Sequence, residues 1–203
     1  MKNMYKDILI LFVITLIAGL VLGGVNELTK DRIAEAEAAN REKAYMAVFS
    51  DASSFQEMDI NVEESDYELL AENGYDSFVI NSINKAMDAS GNELGIVMDV
   101  TTGKGYGGDI EFTVGLRNDG TLNGVSLLEI NETAGLGMNA EKELVPQFKD
   151  KKADVFTVTK TGSISESEID AISGATITSN AITNGVNACL YYHNYIYGGE
   201  ENE

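Results

Sequence analysis

Seven residues near the carboxyl end, Asp170-Ala-Ile-Ser-Gly-Ala-Thr176, lead through Ile-Thr-Ser-Asn180 into a long run with helical apolar spacing. Hydroxyls and amides gather here in Ser173, Thr176, Thr178, Ser179 and Asn180, and Gly174 allows a bend. A helix start needs only one capping side chain, so the stretch offers more hydroxyls than a cap consumes. The same helix start presents unpaired backbone donors and a partial positive charge, which makes it a phosphate site even without a basic side chain. A threonine at that place, Thr176, has the further capacity to hold a phosphate covalently. Capping and phosphate attachment use the same geometry, and both readings stand on these residues.

Two glycine-rich segments come earlier. Gly103-Lys-Gly-Tyr-Gly-Gly108 precedes a strand pattern and lacks the Lys-Ser/Thr ending of a phosphate-binding P-loop, so alone it reads as a hairpin turn. Glu132-Thr-Ala-Gly-Leu-Gly137 follows a strand pattern. It reads either as a loop whose glycines take positive φ, or as small residues that let backbone amides approach a flat ring while Leu136 packs on it. A single cysteine, Cys189, makes no internal disulfide, and a single histidine, His193, makes no histidine metal cluster. Both read as structural. Tyr191, Tyr192, Tyr195 and Tyr197 recur at helical spacing and read as core or interface.

The stretch DAISGAT resembles the flavinylation motif Asp-x-x-Ser/Thr-Gly-Ala-Ser/Thr of domains that carry FMN as a phosphoester on the last hydroxyl residue, here Thr176. GKGYGG and ETAGLG resemble further motifs of the same family. In this order, behind an apolar amino-terminal segment, they are similar to the G-subunit family of Rnf ferredoxin:NAD+ oxidoreductase complexes. The C subunit of the sodium-pumping NADH:quinone reductase is the near neighbour and an alternative reading of the same motifs. Where that family commonly has proline this chain has Ala134, a departure that bears on the shape of the turn.

The resemblance implies a covalent FMN on Thr176, with contacts from Ser173, Gly174, Ala175, Thr178, Glu132, Thr133, Gly135, Leu136, Gly137, Tyr106 and Gly107. It implies that Asp170 serves recognition by a flavin transferase that uses FAD. It implies partners among the other membrane subunits of a complex, including a second flavinylated subunit, and redox coupled to Na+ or H+ movement. A membrane-anchored acidic scaffold without redox chemistry is the alternative from another class.

Composition limits what else the chain does. It has 203 residues, 44% of them hydrophobic, with 14 basic against 33 acidic side chains and a net charge of -19. That balance repels polyanions and argues against a nucleic-acid or anionic-lipid partner.

These motifs need elements to position them. Ile8 to Val25 carries no charge, and as a helix it spans roughly 27 Å, about the hydrocarbon thickness. It exceeds a signal peptide's apolar region and lacks a small-x-small site, so it reads as an uncleaved single-pass anchor. Lys2 and Lys6 precede it and an acidic remainder follows, which places the amino terminus in the cytoplasm and the rest outside.

The expected division is residues 1–26 as terminus and anchor, 27–50 as helical stalk, 51–198 as the extracytoplasmic FMN-binding domain and 199–203 as an acidic tail. The chain from Asp51 to Asp66 reads as irregular. Ser77–Met87, Leu94–Thr101, Ile110–Leu116 and Leu122–Ile130 read as an antiparallel meander, Asn139–Lys149 as a helix despite Pro146, Val155–Thr159 as a strand, and Ile177–Tyr197 as a long helix. The fold class is α+β: a twisted antiparallel sheet with helices packed on one side.

Overall fold

Side chains alternate across a strand, so a strand covered on both faces loses the apolar-polar alternation of a half-exposed one. Glu93–Thr102 shows this in the computed structural model, which describes residues 2–60 and 62–197. Ile96, Met98 and Val100 point to one face, Val97 and Asp99 to the other, and all five are buried. This strand, β3, is the centre of a five-stranded antiparallel sheet in chain order, formed by β1 (Ser54–Glu57), β2 (Phe78–Met87), β3, β4 (Ile110–Arg117) and β5 (Leu122–Ile130).

The long carboxyl-terminal helix α4 (Thr176–Tyr197) lies across β3 and β4 on the first face. Its Ile182, Val186 and Cys189 join Ile96, Met98, Phe112 and Val114 in one core cluster. At Gly185 the helix comes so close that a Cβ there would lie 2.5 Å from the Phe112 ring. Burial pushes the Cys189 thiol well above its ordinary range, helped by the Asp99 charge, and removes it from redox chemistry. Tyr192 is buried and donates to Asp66 (3.3 Å), and Tyr197 donates to Glu93 (3.0 Å), so these tyrosines are structural.

The second face is covered by the end of α1 (Lys2–Val48), so helices pack on both faces and not one. Val48 and the following Phe49 are buried with Ala86 and Val97, and Gly115 and Gly124 leave the room that Val48 fills. Asn123 Nδ2 donates to the Val48 carbonyl, closing the end of the helix. The chain divides into two compact units, residues 1–40 and 41–203. Within the first, α1 is long and apolar enough to cross a membrane, with none of its apolar window buried.

Three further expectations are corrected. The chain from Asp51 to Asp66 is irregular only in part: β1 pairs with β2, and α2 (Glu64–Glu72) begins there. A four-residue edge strand with little inward apolar surface leaves no periodic signal, and its pairing is supplied by the neighbouring strand. α2 is started by Asp66, whose carboxylate accepts from the Glu63 amide at 3.0 Å. The expected helix from Asn139 to Lys149 is broken into a 3-10 turn (Gly137–Asn139), the short α3 (Ala140–Glu143) and a second 3-10 turn (Val145–Phe148). Pro146 brings no amide to a helix there and clashes with the preceding turn. The strand expected at Val155 begins at Thr157: β6 (Thr157–Thr159) pairs in parallel with β7 (Glu168–Asp170), which shows no pattern in the sequence. The acidic tail lies outside the described residues.

Candidate functional site

β7 ends at Asp170 and the chain turns through Ile172 to Ala175 before α4 begins. Ser179 ties this turn to the helix: its hydroxyl accepts from the Ile172 amide and donates to the Ala175 carbonyl, both at 3.0 Å. Gly174 takes φ +75 at the bend. Among the described residues no side chain or carbonyl accepts from the amides of Thr176, Ile177 or Thr178. The first turn of α4 is therefore uncapped, with its donors and dipole available to an anion.

A cleft of about 500 Å³ opens in front of this turn, within the range of small-molecule sites. Its walls come from three segments distant in sequence: Tyr106 from the loop before β4, Glu132, Thr133, Leu136 and Gly137 from the loop after β5, and Gly174 to Thr178 from the start of α4. Thr176 is half-buried and Thr178 is buried. Exposed apolar surface rims the opening, with Tyr106 71%, Ile177 53% and Leu136 39% exposed. Among the described residues lining it none is basic, and Glu132 contributes a negative charge.

One carboxylate holds the three segments together. Glu132 Oε1 accepts from the amides of Tyr106 (2.7 Å) and Gly107 (3.2 Å), and Oε2 accepts from the Thr178 hydroxyl (3.0 Å). Space for it is left by glycines. A Cβ on Gly137 would lie 2.7 Å from both Glu132 Cβ and Thr178 Oγ1, and one on Gly105 would lie 2.8 Å from Glu132 Oε1. At the tip of the second loop the Leu136 amide donates to the Thr133 carbonyl (3.1 Å) and Gly135 has φ +77. That is the geometry of a type II turn with Ala134 at the position that suits proline. The missing proline leaves the turn in place.

Of the residues singled out in the sequence, Tyr106, Glu132, Thr133, Leu136, Gly137, Gly174, Ala175, Thr176 and Thr178 line the cleft. Gly107 and Gly135 belong to the loops that carry the lining but are outside it. Ser173 is exposed and outside the lining. Asp170 is also outside: its backbone is gripped by Gln147, which donates to its carbonyl (3.1 Å) and accepts from its amide (2.7 Å), while its carboxylate accepts from Ser163 (3.2 Å). Ile177 in the lining and the grip of Gln147 go beyond the sequence expectations: Ile177 has no signal beyond its neighbourhood to the motif, and Gln147, 23 residues before Asp170, has none.

Residues 105–191 match the model of the FMN-binding domain, and residues 1–48 match that of the RnfG N-terminal region. The G subunit of the Na(+)-translocating ferredoxin:NAD(+) oxidoreductase complex of Acetobacterium woodii is 32% identical over 192 residues, 93% of this chain and 91% of that one. The chain belongs to this G-subunit family. Another member of the family, from the proton-translocating ferredoxin:NAD(+) oxidoreductase complex of Clostridium ljungdahlii, is 47% identical over 98 residues, 48% of this chain and 52% of that one. Among solved structures, Shewanella oneidensis NqrC aligns with a TM-score of 0.49 at 22% identity over 59% of each chain. In this member of the G-subunit family the FMN-binding segment contains all the residues that line the cleft.

Proposed function

We propose that this chain is a membrane-anchored electron-transfer subunit that carries FMN as a phosphoester on Thr176. It would work within an ion-translocating ferredoxin:NAD+ oxidoreductase complex, with the flavin domain on the extracytoplasmic side. The observation that carries the reading is the half-buried Thr176 at the uncapped start of α4, facing a cleft inside the segment that matches the FMN-binding domain.

The residues present fit the group. Thr176 Oγ would supply the bond, the free amides of the first helical turn would be available to its phosphate, and Leu136, Ile177 and Tyr106 would offer apolar surface to a ring. The absence of a basic side chain among the described lining residues, in a chain of net charge -19, favours covalent attachment over binding by charge. When bound, the flavin supplies the redox chemistry, and the protein holds and orients it. Attachment belongs to a separate flavin transferase using FAD. Thr176 Oγ bonds to the phosphorus of the FMN half, the P–O bond to AMP breaks, and the hydroxyl proton leaves to a base on the transferase. Asp170, half-buried beside Ser163, serves recognition in that step. The partners are the remaining membrane subunits, a second flavinylated subunit among them, and the coupled ion is Na+ or H+.

Intact-mass measurement of the full chain made alongside a flavin transferase tests this, followed by peptide mapping. The expected result is a mass increase of one FMN on Thr176, lost in Thr176→Ala. No increase in the wild-type chain, or a flavin on another residue, overturns the reading.

A further inference from the structure

The second glycine-rich motif reads in the sequence as a place where backbone amides approach a flat ring, yet what Gly137 makes room for is the Glu132 side chain, and Gly105 is close to the same carboxylate as well as to the Gly108 carbonyl. Gly137 and Gly105 would each place a Cβ within 2.8 Å of Glu132 atoms. Three of the roughly four acceptor positions of that carboxylate are taken by protein donors on two other segments. We infer that Glu132 is the positioning residue of the cleft: its carboxylate is engaged by the protein and fastens the Tyr106 loop to the first turn of α4, so that the cleft is assembled before the flavin arrives.

Reach and chemistry both favour this role. Charge-assisted bonds to backbone amides are the stronger kind, and two of them pin the Tyr106–Gly107 tip of a loop whose base is tied separately, by the Gly103 amide to the Ser77 carbonyl (2.9 Å) and by Lys104 to Asp76. The third bond takes the proton of the Thr178 hydroxyl. Thr178, 1% exposed, is thereby left with acceptor lone pairs only, whereas Thr176, two residues earlier and on another side of the helix, has no such partner among the described residues. Glutamine has the same shape and keeps every bond if its oxygen accepts from the two loop amides and its nitrogen donates to Thr178. Alanine keeps none.

The inference rests on the proposed flavin site, but its first test does not need the flavin. In the full chain bearing Thr176→Ala, hydrogen exchange is followed at Tyr106, Gly107 and the first turn of α4. Adding Glu132→Ala should speed exchange at the two loop amides by about tenfold, and adding Glu132→Gln instead should restore the slow rate. Should Glu132→Ala not fold, Thr178→Val, which removes one bond of the three, should speed exchange at the Ser179 amide, whose bond to the Ala175 carbonyl closes the first turn of α4. The second test uses chains loaded on Thr176: iodide should quench flavin fluorescence more in Glu132→Ala than in wild type, with Glu132→Gln close to wild type. Unchanged exchange in Glu132→Ala, or identical quenching in all three loaded chains, overturns the inference. A wild-type chain without attached flavin would instead sink the flavin assignment and leave the exchange result standing.

Discussion

Tyr45, near the end of α1, donates its hydroxyl to Asp99 Oδ2 at 2.6 Å. Asp99 is fully buried in the central strand, and Ser82 (3.2 Å) and Thr113 (2.6 Å) donate to it as well. A buried carboxylate is tolerated only when its oxygens are satisfied. The end of α1 thus completes the polar satisfaction of the sheet it covers. Tyr45→Phe deletes one donor and keeps the ring, which packs on Phe55 at 5.1 Å. The expected loss is about 1–3 kcal/mol of unfolding free energy, read from urea denaturation of the full chain in detergent. A variant as stable as wild type would show that Ser82, Thr113 and the Arg41 guanidinium 3.9 Å away suffice.

Gly137→Ala places a methyl 2.7 Å from Glu132 Cβ and Thr178 Oγ1. Overpacking at a tight site costs about 1–3 kcal/mol, and here the atoms that must yield line the cleft. Lower thermal stability together with a reduced share of flavin-loaded chain by mass is the expected pair of results. Loading at the wild-type level would mean the walls adapt without loss.

Ala134 sits one residue before Gly135 in the turn closed by Leu136 and Thr133, and its amide donates no backbone bond among the described residues. Ala134→Pro should stabilise the fold by about 0.4–1 kcal/mol through the unfolded chain. A rise in the urea midpoint at unchanged slope checks it, and a fall would mean that Thr133 cannot take the backbone conformation a proline imposes.

His193 is buried and stacks on Tyr197 at 4.9 Å. Burial holds its imidazole below the ordinary value of 6.5, against smaller opposing effects of Asn194 and Asp119. The unfolded chain therefore takes up the proton first, so stability is full above pH 6.5 and falls as pH drops through 6.5 toward the lowered folded value. The lowered carboxyls of Asp88 and Asp119 contribute their loss only at more acid pH, below about 3.8. Denaturation curves between pH 7.5 and 5 should show the fall in wild type and a flat line in His193→Phe.

Much of the fold was legible because long elements leave periodic signals. The long helix α1 follows from an uncharged apolar run continued by strong helix formers, and four strands of the meander and α4 follow from apolar spacing. β1, β7 and the break at Pro146 did not, since short elements are stabilised by neighbours that a local pattern cannot see. For the site, the motifs identified nine residues of the cleft lining. Glu132 was among them as a ligand contact, while its bonds to Tyr106, Gly107 and Thr178 join positions far apart in the chain. Ser179, one of several capping hydroxyls in the sequence, bonds backward to Ile172 and so leaves the helix start open. Ile177 enters the lining by helical geometry alone.

The notch at Gly115 and Gly124 that receives Val48, with Phe49 buried beside it, fixes where the chain can be cut. A water-soluble version of the flavin-bearing half has to retain the helix from Arg41 onward. Trimming at the first strand would bare a greasy furrow and strand Asp99 without its phenol, inviting aggregation of a fragment whose cleft is intact.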